Sequence, residues 1–354
     1  MGALLQIEGE APAERLKCLD GWRGMAILCV LVGHFAVFAP PGLAPAGVDL
    51  FFVLSGRLMA ELLIVRRVPL GEFLVRRASR ILPALAAFVL LMLAALLAAP
   101  GYASASRSLL GASAAMFFFQ NYLAAEHVLP FFEHCWSLAV EEHSYLLLAG
   151  VALVAGRSRP AAAGAALLLA AAAMANGYAM NWHDFGDGLY PYTRSDVRAA
   201  SILLSFALWV LIQPRLPHLQ SRAITWLAPG FLTAGLALHL VGGVPDRLCF
   251  TLGTFCFAIA VVTIDRAHPR LLALLGSPLL TWLGLVSFSL YLWQQPLFVA
   301  TRSGAPILAC LPIAFGCAWW SFHAIEGPAR AGLNRAYGRF RARPRLPAAE
   351  SRPA

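Results

Sequence analysis

The sequence predicts an all-α, polytopic integral membrane protein of about ten transmembrane helices with both termini cytoplasmic, and three observations carry that reading. Of 354 residues, 60% are hydrophobic and only 13% charged, where soluble domains carry roughly a quarter of their residues charged. Apolar runs close to the roughly 20 residues that cross a hydrocarbon layer recur along the whole length. The arginines fall on alternate connections between those runs. The net charge of +9 therefore reflects membrane topology and calls for no nucleic-acid partner.

In order, the apolar runs lie near 22–39, 47–65, 81–99, 136–155, 161–176, 198–213, 223–241, 247–264, 279–300 and 304–324. Arg15 and Lys17 precede the first, and Arg66, Arg67, Arg76, Arg77 and Arg80 separate the second from the third. Arg157 and Arg159, then Arg215 and Arg222, then Arg266 and Arg270 follow the fourth, sixth and eighth. With the arginines of the C-terminal region, these assign one side, cytoplasmic by the positive-inside rule. Arg107, Arg194, Arg198, Arg247 and Arg302 are left for the opposite loops. Residues 108–123 would be an eleventh crossing, but that would invert every later loop, so a re-entrant or interfacial helix is expected. The chain thus divides into a short cytoplasmic tail (1–16), one membrane domain (17–326), and a basic cytoplasmic tail (327–354) expected to be disordered against anionic lipid.

The first apolar run follows a polar tail, lacks a cleavage site, and is expected to be retained as a span. Seven cysteines form no CxxC pair and sit mostly within apolar runs, which indicates neither a disulfide framework nor a metal site.

Several clusters carry chemistry. In the first span Arg23 and His34 are eleven residues apart, a rotation close to three whole turns and a rise of about 16 Å, so they share one helix face. An anionic ligand with a long thin arm, such as an acyl-coenzyme A, fits that separation; the plain alternative is a snorkelling arginine and a packed histidine. The second span carries Asp49 near its outer end, Ser55 mid-span, and Arg57 with Glu61 at ion-pair spacing. Asp49, at about the depth of His34, is a candidate to orient the imidazole or contact an acceptor. Arg76, Arg77 and Arg80 are candidates for phosphate recognition, although topology alone accounts for some of them.

The fourth span opens with His134, Trp136, Ser137, Glu141, Glu142, His143 and Tyr145, too many polar groups for a lipid-facing helix. They are expected to face a cavity, with a carboxylate near His34 raising its basicity. In the ninth span Ser287, Ser289, Tyr291, Trp293, Gln294 and Gln295 precede Pro296, which is expected to kink the helix; ordinary interhelical packing is the alternative. The loop with Trp182, His183, Asp184, Asp187, Tyr190, Tyr192 and Asp196 suits sugar recognition or an interfacial aromatic belt.

Together these motifs resemble the acyltransferase-3 family of integral membrane acyltransferases. The matching pieces are Arg23 with His34, GVDLFFVLSG at 47–56, RRxxRILP at 76–83, HxWSLAVEE at 134–142, SFSLYLWxxP at 287–296, and Glu326 with Pro328. Three positions depart from the family's pattern: Arg57 replaces a common aromatic, His143 a glutamine, and Gln294 a histidine. The resemblance implies a multi-pass protein of the bacterial inner membrane that moves an acyl group, acetyl in the first instance, from cytoplasmic acyl-coenzyme A. The acceptor would be a hydroxyl of an extracytoplasmic carbohydrate or lipid-linked glycan. His34 is then catalytic, as general base or transient acyl carrier, and Glu141 or Glu142 orients it. Arg23, Arg76, Arg77 and Arg80 hold the donor, and Asp49, Ser55, Trp136, Ser137 and Tyr291 contact substrate. No metal is expected. A small-molecule acceptor and a transporter or flippase are the competing readings.

Overall fold

The computed structural model describes residues 13–99, 101–156, 158–180, 191–219 and 221–342. The loop residues Trp182, His183, Asp184, Asp187 and Tyr190, and positions 343–354, lie outside the described residues. Among the described residues every regular element is helical, as the apolar runs predict.

The chain enters through α1 (Ala13–Phe35) and α2 (Leu43–Ala60), the latter continued by a π-helical turn, Glu61–Val65. Then follow α3 (Leu70–Ala98), the short α4 (Ala105–Met116), α5 (Trp136–Ala155), α6 (Arg159–Ala179), α7 (Ser195–Ile212), α8 (Leu227–Leu240) and α9 (Thr254–Thr263). The last four are α10 (Pro269–Leu275), α11 (Pro278–Arg302), α12 (Ile307–Trp320) and α13 (Gly327–Ala342), with a π turn at Ser321–Glu326 before α13. Among the described residues nine helical segments are long and apolar enough to cross a membrane. The tenth long helix, Leu43–Val65, carries Asp49, Arg57 and Glu61, and all three are buried by neighbouring helices rather than left to lipid. At 12 residues and about 1.5 Å per residue, α4 is too short to cross, in keeping with the re-entrant or interfacial helix expected there.

α1, α2, α7 and α11 form the interior, α1 packing most extensively on α11 and α2, and α2 on α7. Without a hydrophobic force between helices in lipid, such pairs depend on small residues that let backbones approach. A Cβ at Gly24 would lie 1.9 Å from the Leu280 carbonyl oxygen, and one at Gly284 would lie 1.8 Å from that of Asp20. The crossing therefore admits glycine alone, and it sets the position of Arg23 and His34 against α11. Gly24→Val is expected to lower stability by about 1–3 kcal/mol or more. Fluorescence-detected size exclusion after a heating series checks this; an unchanged midpoint would mean the helices can part freely.

Two boundaries differ from the sequence reading. The arginine-rich connection before residue 81 is helical, because α3 begins at Leu70, so Arg76, Arg77 and Arg80 project from a helix. Residues 327–342, expected to be disordered, form α13 against α3. Arg341 donates to Glu72 at 2.5 Å, and Ser79 Oγ donates to Asn334 Oδ1 at 3.2 Å. The segment is too polar to bury itself, and its partners are polar groups of a helix that extends further than its hydropathy indicates. The helix containing Pro296 continues unbroken to Arg302.

Candidate active site

Two openings lie toward opposite ends of α1 and α11. The first is a cleft lined by Arg23 of α1, Ser55 of α2, Arg77 and Arg80 of α3, Ser137, Glu141 and Tyr145 of α5, and Ser287 and Tyr291 of α11. The space between these side chains, open mouth included, is about 960 Å³. Helical spacing explains the convergence: Arg77 and Arg80 are i,i+3, and Ser137, Glu141 and Tyr145 succeed one another at i,i+4.

Charges in the cleft are partly compensated. Arg77 forms a 2.6 Å ion pair with Glu142, lies 3.9 Å from Glu141, and stacks its guanidinium 3.6 Å from the centroid of the Tyr145 ring. Ser55 Oγ donates to Glu141 Oε1 at 2.9 Å. Arg23 is 3.5 Å from Asp20. At the inner end Ser137 Oγ and Tyr291 OH are 2.7 Å apart, and both reach the His134 carbonyl, at 3.1 and 3.0 Å. Glu326, fully buried by the π turn, accepts from Ser289 Oγ at 2.9 Å.

The second opening is lined by His34, Phe35, Ala36 and Val37 at the end of α1 and by Phe298, Thr301 and Arg302 at the end of α11. The His34 ring stacks on Phe298 with centroids 4.3 Å apart and planes 11° from parallel. Its Nδ1 lies 2.8 Å from Gln294 Oε1. Tyr291 in the cleft and Gln294 beside His34 are successive turns of α11, so one helix connects the two openings.

Nine of the sequence candidates thus share the cleft: Arg23, Ser55, Arg77, Arg80, Ser137, Glu141, Tyr145, Ser287 and Tyr291, with Glu142 joined through Arg77. Four expectations change. Arg76 does not line the cleft and forms a 2.7 Å ion pair with Glu72, because it is one residue, about 100° of helix, away from Arg77. The partner of His34 is the amide of Gln294, not a carboxylate; Glu141 and Glu142 belong to the arginine end. Asp49 accepts from Arg198 and lies 3.1 Å from His239 Nε2, so it does not orient His34. Trp136 packs edge-on to Phe52 at 5.9 Å and against Tyr192 at 5.0 Å, outside the cleft lining. Arg57 reaches the Val261 carbonyl and pairs with Asp265 at 2.6 Å, while Glu61 pairs with Arg66 at 3.0 Å and accepts from Trp209 at 3.1 Å.

Sequence reasoning missed two features. Arg198, placed in an outer loop, is fully buried within α7, its guanidinium 4.8 Å from the Tyr192 ring and 5.4 Å from Phe250. The signal was an arginine four residues into an apolar helix and a histidine, His239, near the end of another. Gln294 was visible only as a polar residue at mid-membrane depth and as a departure from the family pattern.

The sequence profile described as an acyltransferase domain matches residues 16–323. A Komagataeibacter xylinus protein provisionally named a membrane-bound transacylase is 30% identical over 342 residues, covering 91% of this chain and 84% of that protein. A Bacillus subtilis protein provisionally named a peptidoglycan O-acetyltransferase is 28% identical over 364 residues, 91% of this chain and 56% of that protein. A Staphylococcus aureus O-acetyltransferase is 28% identical over 314 residues, 81% and 51% of the two chains. The chain spans about half the length of the last two. No solved structure matches it.

Proposed function

The chain belongs to the acyltransferase-3 family, and we propose that it moves an acyl group from an acyl-coenzyme A on the arginine side of the membrane to a carbohydrate hydroxyl on the His34 side. The observation that carries this reading is the pair of openings toward opposite ends of α1 and α11, one lined by three arginines and the other by His34. Arg23, Arg77 and Arg80 suit the phosphates of the donor, since guanidinium groups match phosphate geometry and the cleft walls strengthen their field. A thioester at the end of a long arm crosses the distance between Arg23 and His34, about 16 Å along α1. The positive-inside rule supports a cytoplasmic arginine end, and the bacterial source of the relatives is in keeping with a bacterial inner-membrane location.

In this scheme His34 is the general base. It takes the proton of the acceptor hydroxyl as that oxygen attacks the acyl carbonyl. The ester C–O bond forms, the C–S bond breaks, and the departing thiolate receives the proton. Peptidoglycan appears in the name of one relative, which supports a carbohydrate acceptor.

Purified protein in sealed vesicles, given radiolabelled acetyl-coenzyme A at one face and glycan at the other, tests the scheme. Label is expected in the glycan only when the donor meets the arginine face. Arg80→Gln is expected to raise the donor KM about tenfold, the loss of about 1.4 kcal/mol from one charge-assisted contact. Arg76→Gln, altering a residue outside the cleft, is expected to leave it within about twofold. Equal effects from both substitutions, or solute flux without any acyl donor, would sink the proposal.

A further inference from the structure

The reading of His34 as the base leaves open which of its two ring nitrogens acts, and a chain of side-chain amides answers that. Gln295 Nε2 donates to the Pro130 carbonyl at 2.9 Å. A backbone carbonyl only accepts, so Gln295 must turn its NH₂ that way and its oxygen the other. That oxygen lies 3.4 Å from Gln294 Nε2, which also faces the Tyr291 carbonyl at 3.3 Å. Two acceptors therefore hold the Gln294 NH₂, and its Oε1 is the atom left for His34, 2.8 Å from Nδ1. An amide oxygen cannot donate, so in the neutral imidazole the proton sits on Nδ1 and the lone pair on Nε2.

Resting on the proposed role of His34, we infer that Gln294 is a positioning residue which holds the imidazole in the Nδ1–H tautomer and makes Nε2 the nitrogen that receives the acceptor's proton. Nε2 has no partner among the described residues, and His34 borders the second opening, where an acceptor would enter. Phe298, stacked on the ring, resists rotation that would exchange the two nitrogens. Proton transfer at Nε2 leaves the Nδ1–H bond to Gln294 in place. The imidazolium then carries its charge beside a neutral amide, and returns the same proton to the leaving thiolate. The anchor at Pro130 ties this orientation to the segment leading into α5, so cleft and base are positioned by one continuous set of contacts.

Two measurements test the assignment. Side-chain ¹⁵N shifts of histidine-labelled protein in nanodiscs, with the His34 signals identified by their loss in His34→Asn, should show Nδ1 protonated and Nε2 bare. The bare-Nδ1 tautomer would overturn the inference. Independently, Gln294→Met keeps the length and volume but removes the acceptor; kcat is expected to fall about 10- to 100-fold with the donor KM unchanged. Gln294→Glu restores an acceptor and is expected to recover at least tenfold over the methionine variant. A space-filling role predicts the reverse order, Met tolerated and Glu damaging, and that order would overturn the inference. The ¹⁵N readout needs no activity, so a His34→Ala variant that still transferred acyl groups would defeat the proposed function while leaving the tautomer assignment standing.

Discussion

His34→Ala is expected to reduce acyl transfer by about 10²–10⁴-fold, the range attributed to a positioned base, while leaving the amount of folded protein unchanged. The side chain is half-buried at the end of α1, with one amide partner and one stacked ring, so its removal leaves no buried charge behind. The effect should fall on kcat and not on the donor KM, because the arginine cleft is toward the opposite end of the bundle. Transfer of label from acyl-coenzyme A in membranes of matched protein content measures it. A normal rate in this variant would remove His34 from the chemistry and with it the two-ended scheme.

Asp49→Ala is expected to prevent accumulation of folded protein for a reason unrelated to catalysis. Asp49 of α2, Arg198 of α7 and His239 of α8 meet in the interior, and the Asp49 and Arg198 side chains are 2% and 1% exposed. Removing the carboxylate leaves the Arg198 charge in a low-dielectric interior with three aromatic faces around it, from Phe52, Tyr192 and Phe250. Breaking such a pair from one side costs about 3–5 kcal/mol, a large part of a protein's net stability, whereas replacing both partners with apolar groups can be nearly neutral. The double variant Asp49→Ala, Arg198→Met is accordingly expected to recover most of the folded yield. Size-exclusion profiles of detergent-solubilised protein distinguish the outcomes. If the double variant is no better than the single one, the ion pair matters through something other than charge compensation.

The contrast between these two residues shows what a sequence conveys. Both are polar groups in apolar helices at similar depth, and both were singled out on that ground. Depth in a span marks a residue as costly to leave unpaired, but it does not say which neighbour pairs with it. From sequence alone Asp49 is therefore a candidate to orient His34 or to contact an acceptor, whereas its partners in the structure are on α7 and α8. The carboxylates of α5 went wrong in the same direction, since their position on a helix start was visible and the arginine they face was not. The α13 error has a related cause: hydropathy reports apolar burial and is blind to a polar helix held by Glu72 and Ser79.

What the sequence by itself determined is the helical architecture, the positions of the spans, the placing of Arg23 and His34 on one helix face, and the family. Each is local or additive along the chain: hydropathy over about 20 residues, rotation per residue within one helix, and motifs in order. Only the tertiary structure decided the partners. Asp49 and Arg198 are 149 positions apart, and His34 and Gln294 are 260 apart. Those distances in sequence are crossed by the order in which helices pack, which close approach at glycines such as Gly24 and Gly284 sets. The pair Arg23 and His34 thus comes from helix geometry, whereas the nitrogen that His34 presents comes from which helix lies beside it.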